Sequence, residues 1–141
     1  MGFLVDTNVL SELRKGLKAN AGVQNWFKNT DGHKLYISVL TLGEIRQGIE
    51  LLKRKDPVAA KSLEGWLEQI KTDSARLILP VSQEIADCWG HINVPDKMPV
   101  IDGYLAATAL VHKLTLVTRN VIDVERSGVK LLNPFLKDSS V

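Results

Sequence analysis

Short apolar runs alternating with longer amphipathic stretches constrain this chain more than any other feature of its sequence. Gly2–Val5, Lys34–Ser38, Leu77–Leu79, Thr115–Thr118 and Val129–Leu132 read as strands, the last as an edge strand. Between the first two lie a helical pattern of Val9, Leu10 and Leu13, closed by Gly16, and a short helix around Gln24–Asn29. Thr41 opens a helix with Ile45, Ile49 and Leu52 on one face, and Val58 to about Thr72 carries Leu63, Trp66, Leu67 and Ile70 at helical spacing. Ser82 caps a helix bearing Ile85, Trp89 and Ile92, and Ile101 to His112 is apolar and rich in alanine. Strands separated by helices predict an α/β fold, a parallel sheet of about four to five strands flanked by helices. At 141 residues the chain has the size of one domain, expected over 1–141 with a polar tail from about Lys137.

Composition narrows the function. Hydrophobic residues make up 45% and charged residues 24%, as in globular rather than disordered chains. The net charge of +2 neither requires nor excludes a nucleic-acid partner, because a near-neutral sum can hide an acidic pocket and a basic rim. The lone Cys88 rules out an internal disulfide and a multi-cysteine zinc site. No apolar run reaches the roughly 20 residues of a membrane helix, and the start lacks the basic, apolar pattern of a signal peptide. A cytoplasmic chain without a membrane partner is expected. His33, His91 and His112 have no metal-ligand spacing, there is no Gly-x-Ser-x-Gly elbow, and Ile49 stands where a P-loop after Gly43 and Gly48 requires Lys.

Four acids fall at informative places. Asp6 ends the first strand, Glu44 lies in the first turn after the second, Asp102 opens the alanine-rich helix, and Asp123 follows the fourth strand. In an open parallel sheet, ligands bind beyond the carboxyl ends of the strands, and right-handed crossovers return each strand–helix junction to that end. Carboxylates crowded there repel by about 4 kcal/mol for each pair about 4 Å apart at an effective dielectric near 20. Protons, basic partners or a bound cation must offset this. An oxygen-only set suits Mg²⁺ or Mn²⁺, which activates water and stabilises charge on phosphorus, the chemistry of phosphodiester hydrolysis. Capping offers another account. Thr41-Leu42-Gly43-Glu44 matches a capping box, and Asp6 and Asp123 could each start a helix or turn. Asp102, ahead of an almost wholly apolar helix, is the hardest to explain that way.

Leu4-Val5-Asp6-Thr7-Asn8-Val9-Leu10-Ser11-Glu12-Leu13 resembles the opening motif of PIN-domain ribonucleases, specifically the VapC and FitB-like toxins of bacterial toxin–antitoxin pairs. Ser38 to Ile49, Pro99 to Ala109, and Leu116 to Asp123 with Gly128-Val129 and Asn133-Pro134-Phe135 are similar to its second, third and fourth motifs, in the family's order. The residue after Asp123 is commonly Phe in that family and is Val124 here. The resemblance implies a Mg²⁺- or Mn²⁺-dependent endoribonuclease with Asp6, Glu44, Asp102 and Asp123 as its acidic centre. Asp6 and Asp102 would be the principal metal ligands, and Glu44 and Asp123 would complete the site directly or through water. Thr7 or Asn8 would bond within the site, and Thr118 and Asn120 would shape the strand end. It also implies a homodimer or toxin–antitoxin hetero-oligomer, with a small antitoxin in a groove formed partly by the helices from Thr41 to Thr72.

For the RNA substrate, Arg46 and Arg119 are the expected contacts, by proximity to Glu44 and Asp123. The clusters Arg14, Lys15, Lys18 and Lys53, Arg54, Lys55 sit at helix ends, where the macrodipole favours cations without any ligand. Two other readings remain open from the residues. An aspartate-based phosphatase would want a second Asp where Asn8 stands, and a non-catalytic PIN-like module would bind RNA or protein without cutting.

Overall fold

The computed structural model describes residues 2–73 and 77–135. The expected tail from Lys137 lies outside them. Five short strands, β1 (Phe3–Val5), β2 (Leu35–Ser38), β3 (Ile78–Leu79), β4 (Thr115–Val117) and β5 (Leu131–Leu132), form one sheet in the order β3-β2-β1-β4-β5. Every pairing is parallel, with Leu4 opposite Tyr36 on one side and Leu116 on the other. The chain therefore builds outward from β1 in one direction, then crosses back and builds outward in the other.

Seven α-helices cover the sheet: α1 (Thr7–Leu13), α2 (Ala21–Lys28), α3 (Val39–Lys53), α4 (Pro57–Asp73), α5 (Gln83–Ile92), α6 (Val100–His112) and α7 (Val121–Val124). Alternate residues of a strand point to opposite faces, so a sheet covered on both faces must be apolar at successive positions. Leu4 and Leu116 accordingly pack with Leu105, Ala106 and Ala109 of α6, while Val5 and Val117 pack with Val9 of α1 and Val23 of α2. The small alanines let α6 lie close to the sheet. A third cluster, Ile45, Ile49, Ala60 and Leu67, joins α3 to α4 as an antiparallel pair beside the sheet.

The helix after β2 departs from expectation. Strand passes straight into helix, and Ser38, still extended, caps α3 by accepting a hydrogen bond from the Leu40 N–H at 3.1 Å. Thr41 is thus inside the helix rather than its cap, fully buried, and its hydroxyl has no hydrogen-bond partner among the described residues. The expected capping box does not form, and Glu44 lies in the second turn instead of the first. Ser82 does cap α5, through the Ile85 N–H at 3.2 Å. No helix of the described residues is long and apolar enough to cross a membrane.

Candidate active site

Because β1 has β2 on one side and β4 on the other, successive connections leave it in opposite directions, and a crevice opens beyond its carboxyl end. Asp6 stands at its floor. Its backbone N–H donates to the Val117 carbonyl at 3.0 Å, which ties it to β4. Only 5% of the residue is exposed, and burial pushes its carboxyl above the usual range despite three bonds that favour the charge. Oδ1 accepts from the Thr7 N–H at 2.6 Å, and Oδ2 accepts from the Thr118 hydroxyl at 2.7 Å and the Asn8 amide at 3.3 Å. The first of these also caps α1, so Asp6 serves the helix and the crevice at once.

The other acids are gathered around it. The Thr7 hydroxyl donates to Glu44 Oε1 at 2.6 Å, bringing a half-buried carboxylate from α3 to the start of α1. The Thr118 hydroxyl, while donating to Asp6, accepts from the Asn120 N–H at 3.0 Å, and the Asn120 side chain donates to Asp102. A continuous line of hydrogen bonds therefore runs from Glu44 through Thr7, Asp6, Thr118 and Asn120 to Asp102. Asp102 is pushed up to about 6, first by burial and then by the charges of Asp6, Asp123 and Glu44. Its helix turn is seated closely: a Cβ on Gly103 would stand 3.1 Å from the indole nitrogen of Trp89, itself stacked on Tyr104. Asp123 is exposed on α7, while Val124 beside it is buried among the β4 and α6 residues.

None of the four acids forms an ion pair among the described residues. Nor do three of them stand together at metal-ligand spacing: among the described residues, no group of three or more His, Cys, Asp or Glu could hold an ion as placed. The donor chemistry nonetheless fits a hard divalent cation. It is all oxygen, and Asp102 is raised by burial and, after it, by the charges of the other three acids.

The two arginines named from sequence part company. Arg46, two residues on from Glu44, points to a different side of α3 and forks onto both carboxylate oxygens of Glu64 in α4, with Glu50 3.5 Å away. Arg119 remains at the crevice, exposed, with its N–H on Asn8 Oδ1 at 3.3 Å and its guanidinium 4.7 Å from the centre of the Phe135 ring. Phe135 was legible only as part of the fourth motif; sequence reasoning had no signal that its ring would carry Arg119.

A sizeable cavity lies elsewhere. An apolar groove of about 680 Å³ runs between α1, α2 and α4, lined by Leu10, Leu13, Phe27, Trp66 and Ile70. Arg14 crosses its edge, 5.7 Å from the Trp66 ring centre and bonded to the Ser62 hydroxyl at 3.1 Å.

A five-stranded parallel sheet in this order, with acids collected where it changes direction, defines a protein of the PIN type. The chain belongs to the PIN domain family, which matches residues 3–122 and so takes in Asp6, Glu44 and Asp102 and stops one residue short of Asp123. It is 32% identical over 139 residues to Toxin FitB of Neisseria gonorrhoeae, covering 94% of this chain and 97% of that protein. To a VapC ribonuclease of Sinorhizobium fredii it is 30% identical over 138 residues, covering 94% and 96%. The crystal structure of FitAcB from Neisseria gonorrhoeae matches it with a TM-score of 0.85 at 32% identity, over 94% of this chain and 97% of that one.

Proposed function

We propose that the chain is a metal-dependent endoribonuclease and the toxin of a toxin–antitoxin pair. The observation that carries this reading is Asp102, raised by burial and by the charges of Asp6, Asp123 and Glu44, with no cation paired to any of the four among the described residues. The ribonuclease and toxin names of its two relatives support the same reading. Asp6, Asp102 and Asp123 would hold Mg²⁺ or Mn²⁺. Bound there, the ion would offset the mutual repulsion of the acids, lower the pKa of a water and stabilise charge developing on phosphorus.

The protein's own groups do the rest. Thr118 and the Thr7 N–H fix both oxygens of Asp6, so its lone pairs are aimed before anything binds. Glu44, held by the Thr7 hydroxyl at one oxygen, keeps the other to orient the attacking water and take its proton. Asn120 steadies Asp102 from the β4 side. An antitoxin segment occupies the apolar groove between α1, α2 and α4, and the chain works as a homodimer or a toxin–antitoxin hetero-oligomer.

The test is cleavage of total cellular RNA by purified protein with Mg²⁺, Mn²⁺ or EDTA, beside Asp6→Asn. Cuts that need metal and fall at least about a hundredfold in the folded variant are expected. Cleavage undiminished in EDTA would remove the metal, and cleavage undiminished in Asp6→Asn would remove that residue's role.

A further inference from the structure

A crevice lined with carboxylates repels the polyanion it is read as cutting, so some fixed cation must hold the strand close by. Five of the eighteen lysines and arginines are engaged in ion pairs among the described residues: Arg46 with Glu64, Lys15 with Glu12, Lys53 with Glu50, Lys71 with Glu68 and Arg126 with Asp96. Arg119 differs. It forms no ion pair among the described residues, and its side chain donates no hydrogen bond there. The carboxylate that senses its charge, Glu12, is already bonded to Lys15 and to the Asn20 N–H.

Its position is nevertheless fixed at two points. The backbone N–H is held by Asn8, whose amide in turn donates to Asp6, so two hydrogen bonds separate Arg119 from the floor of the crevice. The guanidinium lies on Phe135, whose ring packs against the cluster of Val5, Val9 and Val117 and whose N–H donates to Asn133 Oδ1 at 3.1 Å. A guanidinium laid on a ring has one face covered and its edge free, and that edge matches two oxygens of one phosphate. Stacking also reduces the rotamer freedom that an exposed arginine would lose on binding.

We propose that Arg119, supported by Phe135, is a phosphate-binding subsite for single-stranded RNA at the border of the acid crevice. The assignment rests on the ribonuclease reading above and adds to it the residue pair that grips the backbone. Phe135 acts through Arg119 as a positioning residue.

Binding is measured with the full chain in EDTA, which separates it from cleavage. The probe is a labelled single-stranded RNA of about twelve nucleotides, followed by anisotropy between roughly 50 and 300 mM salt. For Arg119→Ala the slope of log affinity against log salt should become shallower by about 0.7, the value for one lost phosphate contact on a single strand. Arg119→Lys keeps the slope but binds several-fold more weakly, because the charge stays and the fork is lost. Phe135→Leu likewise keeps the slope and loses affinity. A wild-type slope in Arg119→Ala overturns the subsite while leaving the ribonuclease reading intact. No RNA binding by the wild type at the lowest salt overturns the subsite as well, while the ribonuclease reading stands or falls with the cleavage test.

Discussion

In the α3–α4 hairpin Arg46 meets Glu64 and Glu50, Lys53 meets Glu50 and Lys71 meets Glu68, whereas over β1 and β4 the charges of Asp6, Glu44 and Asp123 bear on Asp102 with no cation paired to any of the four among the described residues. The hairpin's charges settle their own account in solvent. Those of the crevice are kept together by neutral donors, the hydroxyls of Thr7 and Thr118 and the amides of Asn8 and Asn120. Opposite charges at a surface need little help to coexist and contribute little. Like charges coexist only where a scaffold aims them and something from outside completes them.

The two regions can be set against each other by experiment, and Thr7→Val should have the largest effect. It keeps the N–H that bonds Asp6 and deletes only the donor to Glu44. A hydrogen bond to a charged group is worth about 1.5–3 kcal/mol, so kcat should fall about tenfold or more with KM little changed. Thr7→Ser should restore it, and a valine variant with wild-type kcat would show that Glu44 needs no holding.

A smaller effect of opposite sign in the two regions should appear in urea unfolding under chelation. Asp102 is raised to about 6, so between about pH 4 and 6 the folded chain keeps a proton that the unfolded chain has lost, and stability falls as pH rises through that window. Asp6, also raised, adds to the same trend. Asp102→Asn should flatten the fall by an amount of order 1 kcal/mol after screening by solvent. An unchanged pH dependence in that variant would mean that Asp102 does not titrate as described.

Glu64→Gln completes the series with the smallest change. Glu64 is lowered by Arg46, so its contribution is present above the carboxyl's unfolded pKa and is lost as pH falls through the lowered folded one. Cleavage should be unaffected, and Tm at neutral pH should drop by no more than about 2 °C. A marked loss of cleavage would tie the hairpin to the crevice.

What the sequence revealed followed from local pattern. Apolar runs of three to five residues marked every strand, and the acids stood out because each came just after a strand or opened an apolar helix. Where several signals competed, the reading slipped. Ser38 and Thr41 are both good caps three residues apart, and the choice between them depends on how far β2 pairs with β1 and β3, which neither residue records. Arg46 looked like a neighbour of Glu44 because the chain is linear, yet two residues along a helix turn a side chain about 200° away. The bonds that build the site lie beyond any local pattern: Thr7 and Glu44 are 37 residues apart, and Asp6 and Thr118 are 112 apart. Residue types suited to the task were visible, but their pairing was not.

The strand order also has a consequence for synthesis on the ribosome. β1 and Asp6 are made first, but the neighbour that closes the crevice, β4, and the hydroxyl of Thr118 arrive only after residue 114. Until then Asp6 has one side of its pocket missing, and a chain that stops early carries Asp6 and Glu44 without the partners that align them with Asp102. A product of translation interrupted before β4 thus lacks the donors that align its acids, and the site is assembled only once β4 has been made.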